Sequence, residues 1–177
     1  VGDTEEYNYA VNVKNTKGLA PIKHVRKVAA GDNFSMALLS NNTVWTWGGN
    51  EFGQLGDGTN KDSYLPVQTL SGDYNVPAIS ATRTLGNVVD IAAGGHQAVA
   101  VAFQPDIVAG LQPGDTGYNT TYNSYAFTWG EGDNGQLGTV MPGSVNLPVI
   151  MRDTVGVEVA NVSGAAVGID HALLFRE

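Results

Sequence analysis

Short apolar stretches recur along the chain, each cut off by Gly, Asn or Asp within a few residues. In the first such block they are "VRKVAA" (Val25–Ala30), "FSMALL" (Phe34–Leu39), "TVWTW" (Thr43–Trp47) and "LPVQTL" (Leu65–Leu70). All are rich in β-branched, aromatic or aliphatic residues, which suit a pleated, half-buried surface. The period of two in "TVWTW" sets Val44 and Thr46 on one face and Thr43, Trp45 and Trp47 on the other, so aromatic rings cover one side. No segment carries a 3.6-residue apolar period with caps. The pattern predicts strands a, b, c and d in each block, with a glycine-rich turn between c and d.

The block then repeats. "VAAGDNFSMALL" (Val28–Leu39) aligns with "IAAGGHQAVAVA" (Ile91–Ala102) at an offset of 63 residues. "TWGGNEFGQLG" (Thr46–Gly56) aligns with "TWGEGDNGQLG" (Thr128–Gly138) at an offset of 82, which Pro66 and Pro148 keep. The 19-residue difference is an insertion between strands b and c of the second block, expected as a surface loop over residues 104–124. A third start lies at "AAVGIDHALLF" (Ala165–Phe175), where Gly168 is in register with Gly31 and Gly94. With "YNYAVNV" (Tyr7–Val13) as a leading strand d, the order is d, abcd, abcd, ab. Eleven short strands in four-stranded units predict an all-β chain of β-propeller blades. The expected division is a leading strand in 1–24, units at 25–87 and 88–161, and the start of a third unit in 162–177.

These repeats resemble those of the regulator of chromosome condensation family, its bacterial members especially. The resemblance rests on the "AAG" start, the "WG.N..GQLG.G" turn and the downstream Pro-Val. The repeat-defining positions are Gly31, Trp47, Gly48, Gly53, Leu55, Gly56 and Pro66 in the first unit. In the second they are Gly94, Trp129, Gly130, Gly135, Leu137, Gly138 and Pro148, and in the third Gly168 and His171. The resemblance implies blades of a propeller that typically has seven, and interaction scaffolds that include exchange factors for small GTPases, β-lactamase inhibitors and bacterial envelope proteins. His171 stands where the family often has His, whereas Phe34 and Gln97 replace it in the other units. Asn50 of the first turn becomes Gly132 in the second, and no exchange-factor residue carries over.

Two full units do not close a ring, and open sheet edges invite pairing. The expectation is a non-catalytic protein-interaction or structural module, part of a larger acidic propeller outside the cell or in its envelope, with the cytoplasm left open. The alternatives are a subunit that self-assembles through its terminal strands and a carbohydrate-binding module using Trp45, Trp47 and Trp129.

Charge and composition narrow this further. Nine Lys plus Arg against seventeen Asp plus Glu give a net charge of −8, and the largest basic cluster is "KHVRK" (Lys23–Lys27). That balance argues against nucleic acid as a partner. The 23 glycines suit many tight turns, and the lack of cysteine excludes disulfides and thiolate metal sites. No apolar run approaches a membrane span.

The tempting chemical motifs are weak. "GEGDNG" (Gly130–Gly135) fits G-x-G-x-x-G, but Pro142 and Pro148 deny it the helix that would receive a pyrophosphate. "DGTNKD" (Asp57–Asp62) offers calcium-like oxygens without a closing acidic residue, and the second copy reads "TVMPGS" there. His24, His96 and His171 are scattered, and no nucleophile motif accompanies Asp170-His171. No catalytic residue, cofactor or metal is expected. Four N-x-S/T sequons, at Asn33, Asn41, Asn119 and Asn161, are candidate glycosylation sites.

Overall fold

The computed structural model describes residues 11–72, 84–105, 122–139 and 142–176. Among them are ten strands and no helix. Strands β1 (Val25–Ala30), β2 (Phe34–Leu39), β3 (Val44–Gly48) and β4 (Ser63–Gln68) form one antiparallel sheet in sequential order. β5 (Val88–Gly94), β6 (Gln97–Pro105), β7 (Tyr122–Gly130) and β8 (Val145–Ile150) form a second in the same order. β9 (Val162–Val167) and β10 (Ala172–Arg176) form an antiparallel pair. The first strands of the three sheets, β1, β5 and β9, lie side by side, as the inner strands of neighbouring propeller blades do. The chain is all-β and built of propeller-type blades.

The a and b strands of the first unit fall where the apolar pattern places them. Strand d starts earlier, at Ser63 rather than Leu65, because Gly48 pairs with Ser63 across an irregularity in the β3–β4 register. Most of the expected leading strand, residues 7–10, lies outside the described residues, and residues 11–13 carry no strand. The insertion differs at its edges. Gln104 pairs with Asn123 and Pro105 with Tyr122, so its ends lengthen the β6–β7 hairpin, while 106–121 lie outside the described residues.

Two apolar layers hold the blades face to face. In β6, Ala98, Ala100 and Ala102 join Met36, Leu38 and Val44 of the first sheet in one core. The alternate residues Val99 and Val101 join Val162 and Ala165 of the third unit in another. This is the strand period of two used on both faces of a central blade. All five β6 residues are fully buried. Each valine buried in this way contributes about 1.5–3 kcal/mol.

The sheet register repeats from unit to unit. Met36 opposes Thr46 and Ser35 opposes Trp47 in the first sheet. Val99 opposes Thr128 and Ala98 opposes Trp129 in the second. The face carrying Trp45 and Trp47 is half-buried, whereas its equivalents Phe127 and Trp129 are sealed against the first blade. Beside Trp45, Leu39 and Pro66, residues of the 15–23 segment enclose a largely apolar cavity of about 320 Å³.

An ion pair between Lys27 of β1 and Asp90 of β5 links the inner strands. The other carboxylate oxygen of Asp90 accepts the Ala165 N–H of β9 at 3.3 Å, so one aspartate ties three units together.

Candidate functional site

The glycine-rich turn after strand c is where the sequence places its densest polar chemistry, and its geometry shows how that chemistry is used. Asn50 is fully buried. Its amide Nδ2 donates to the carbonyls of Thr59 and Lys61, both at 3.0 Å, and its Oδ1 accepts the Leu55 N–H at 2.9 Å. The Asn50 N–H donates to Asp62 Oδ1 at 2.8 Å, closing the loop. Asp57 Oδ1 accepts the Thr59 N–H at 2.9 Å and the Thr59 hydroxyl at 2.8 Å. The oxygens that resembled a calcium loop are engaged in holding that loop's shape. Among the described residues no group of three or more His, Asp or Glu is placed to hold a metal.

Sequence comparison alone passes over Asn50, because the second unit has Gly132 there. The signal was nonetheless present: Asn50, Asp57, Thr59 and Asp62 change together, to Gly132, Thr139, Met141 and Ser144. One bond survives the exchange. The Gly132 N–H donates to Ser144 Oγ at 3.4 Å, where Asn50 and Asp62 meet in the first unit.

The "GQLG" segment makes the joint between blades. Leu55 and Leu137 are buried, anchoring the two turns. Gln54 Oε1 accepts the Phe52 N–H at 2.9 Å, and its Nε2 donates to Asn33 Oδ1 at 3.1 Å. The carbonyl of Gln54 accepts the indole Nε1–H of Trp129, from the next blade, at 2.9 Å. Gly56, at φ 63°, lies directly under that indole: a Cβ there would stand 2.8 Å from Trp129 Nε1. Both the left-handed backbone and the close approach require glycine. Phe52 adds a ring stacked on His96 of the second blade, with centroids 4.9 Å apart, and His96 Nδ1 lies 3.1 Å from Glu131 Oε2.

The remaining sequence candidates disperse. "GEGDNG" leads into turns, with no helix after it among the described residues. Trp129 is fully buried between blades and offers no face to a sugar, while Trp45 and Trp47 are half-buried. His171 is exposed and lies over Gly168, and its carbonyl accepts the Gly168 N–H at 2.8 Å. His24 and His96 lie in other units. Asn33 is held by Gln54, and Asn41 Oδ1 accepts the Thr43 hydroxyl at 2.7 Å. Asn161 sits exposed in a turn at φ 58°, and Asn119 lies outside the described residues. Burial raises the Glu158 carboxyl above its ordinary range, and it faces Arg152 Nη2 at 3.3 Å.

Because the strands run antiparallel, all a–b and c–d loops emerge at one end of the blades. Among the described residues that end carries Asp32, Glu51, Asp57, Asp62, Glu131, Asp133 and Asp170 against one Lys or Arg, Lys61.

The comparisons with known proteins agree with this architecture. Models of the regulator of chromosome condensation (RCC1) repeat match residues 25–54, 41–101 and 125–175. The human E3 ubiquitin-protein ligase HERC2 is 24% identical over 203 residues, covering 99% of this chain and 4% of that protein. The ultraviolet-B receptor UVR8 of Arabidopsis thaliana is 29% identical over 142 residues, covering 80% of this chain and 24% of the receptor. Yeast RCC1 (Prp20), solved with Kap60 bound, superposes with a TM-score of 0.54 at 22% identity, over 90% of this chain and 32% of that one. The chain therefore spans less than a third of each of these relatives. With matching units on both sides of the Trp129–Gln54 joint, this chain belongs to the regulator of chromosome condensation (RCC1) repeat family.

Proposed function

We propose that this chain is a non-catalytic protein-interaction module within a larger β-propeller, and that it presents the loop end of its blades to a basic protein surface. Repeats of this family generally serve protein–protein interaction, in keeping with the Kap60-bound yeast relative. The observation that carries the reading is the Asn50 network. Polar side chains that could bind a small ligand instead fix a loop of defined shape, which lowers the ordering cost of recognising a macromolecule. The seven carboxylates at that end favour a basic partner and speed encounter with it. The net charge of −8 disfavours nucleic acid. A setting outside the cell or in its envelope belongs to the same proposal.

The test is photo-crosslinking from Glu51 and Asn60, both exposed, in extract from the native source. The reading expects one protein, captured through a Lys/Arg-rich segment, and its loss when the exposed Asp32 and Asp133 are replaced by Lys. Capture that survives this charge reversal, or saturable binding of a glycan or nucleotide at the same loops, contradicts it.

A further inference from the structure

The connection from a strand d to the next strand a takes the same form at two places. Residues 14–21, ahead of β1, and residues 152–158, between β8 and β9, each close through an antiparallel bridge, Lys14 with Pro21 and Arg152 with Glu158. Asn15 Oδ1 accepts the N–H groups of Lys17 and Leu19, both at 3.2 Å. Asp153 Oδ1 accepts those of Val155 and Val157, at 3.0 and 2.8 Å. Gly18 and Gly156 turn the chain at φ 67° and 84°. The shared pattern is Asn/Asp-Thr-x-Gly-aliphatic, a tight turn stapled by its own first side chain.

Each turn holds its aliphatic residue out. Leu19 is 83% exposed and Val157 60%, with Val155 at 79% on the second tip. Leu19 stays exposed with the complete first unit beside it, where Leu65 lies next to Gly18. Val157 stays exposed although it follows directly on the complete second unit. Neither the unit before such a turn nor the unit after it covers the position.

The charge around the tips is the reverse of that at the opposite end. Both tips lie at the end of the b–c and d–a connections. Among the described residues that end carries Lys14, Lys17, Lys23, Arg26, Arg152 and Arg176 against Asp153 and Glu158. Aliphatic side chains flanked by Lys and Arg match a lipid surface with anionic headgroups: the apolar groups enter the acyl boundary while the cations stay among the phosphates. The tips stand on separate units. A fluid bilayer accepts such side chains singly, whereas a protein interface buries a contiguous apolar core.

We propose that this end of the blades is a peripheral membrane-docking face. Leu19, Val155 and Val157 enter the headgroup–acyl boundary of an anionic bilayer, and the basic residues around them hold the chain there. The acidic end then points away from the bilayer, towards a protein partner. The two ends act independently, so failure of vesicle binding would leave protein capture at the loop end standing, and the reverse also holds.

The chain has no cysteine, so Leu19→Cys, Val157→Cys and Ile169→Cys each carry one environment-sensitive dye. Ile169 is the control, 68% exposed in the a–b turn at the acidic end. The labelled 177-residue chains are mixed at low salt with vesicles of equal parts phosphatidylcholine and phosphatidylglycerol. Dye emission at positions 19 and 157 should shift to the blue, and emission at 169 should not. Co-sedimentation of the unlabelled chain should weaken at least about ten-fold when Leu19→Asp and Val157→Asp are combined, or when the vesicles are phosphatidylcholine alone. Circular dichroism checks that the double variant is folded. No vesicle binding, a shift at 169 equal to those at the tips, or binding indifferent to the double substitution or to headgroup charge would each overturn the proposal. Tips that ignore vesicles and crosslink to a protein instead would overturn it as well.

Discussion

Trp129 of the second blade donates its indole hydrogen to the carbonyl of Gln54 in the first, at 2.9 Å, across a gap of 75 residues in sequence. The bond converts a surface turn into a seat for the neighbouring blade, and it explains why Trp and "GQLG" persist together in both copies. Trp129→Ala should therefore destabilise by about 3–5 kcal/mol. Trp129→Phe should cost about 1–3 kcal/mol by leaving the buried carbonyl unpaired. Trp47→Ala, at a half-buried position, should cost clearly less. Urea denaturation of the three variants checks the order.

Asn50→Ala removes three well-formed bonds to Leu55, Thr59 and Lys61. A loss of about 2–4 kcal/mol is expected from the buried groups left without partners. In hydrogen exchange, amides of residues 50–62 should lose protection while those of residues 132–138 keep theirs. Equal loss in both turns would mean that Asn50 supports the whole blade stack rather than its own loop.

Asp90 should matter more than the lysine it pairs with. Lys27 is 44% exposed, and an exposed pair of this kind contributes at most about 1 kcal/mol. Asp90→Ala also strips the Ala165 N–H of its acceptor and should cost about 1 kcal/mol more than Lys27→Ala. Salt should shrink the Lys27 effect and leave the remainder of the Asp90 effect in place.

Glu158 gives a pH signature. Burial raises its carboxyl above the ordinary 4.5, so the folded chain holds this proton more tightly than the unfolded chain. The associated stability is complete below that ordinary value and is lost as pH rises through the folded-state value. Glu158→Gln should match the parent near pH 4 and become the more stable of the two towards pH 7. Thermal melts across that range read the sign, and a parent that gains on the variant with rising pH contradicts it.

Much of the fold was legible because each unit states its strands twice. "VRKVAA" and "FSMALL" are β1 and β2 residue for residue, since Gly31, Ser40 and their neighbours cut the runs sharply. The early start of β4 was not legible, because Ser63 and Tyr64 carry no apolar signal and are recruited by pairing with Gly48. The joint was half legible. Repetition singles out Trp129 and Gln54-Leu55-Gly56, but only the stacking of blades reveals that they bond to one another. Asn50 was hidden because a residue that changes between copies looks dispensable, when in fact its whole set of partners changes with it.

The glycine-rich turn is a seat for the adjoining blade and not a ligand loop. Hydrogen exchange of the three indole N–H groups by NMR tests it most directly. The Trp129 indole proton, bonded and buried, should exchange orders of magnitude more slowly than that of half-buried Trp47. A Trp129 indole exchanging as fast as Trp47 would contradict it.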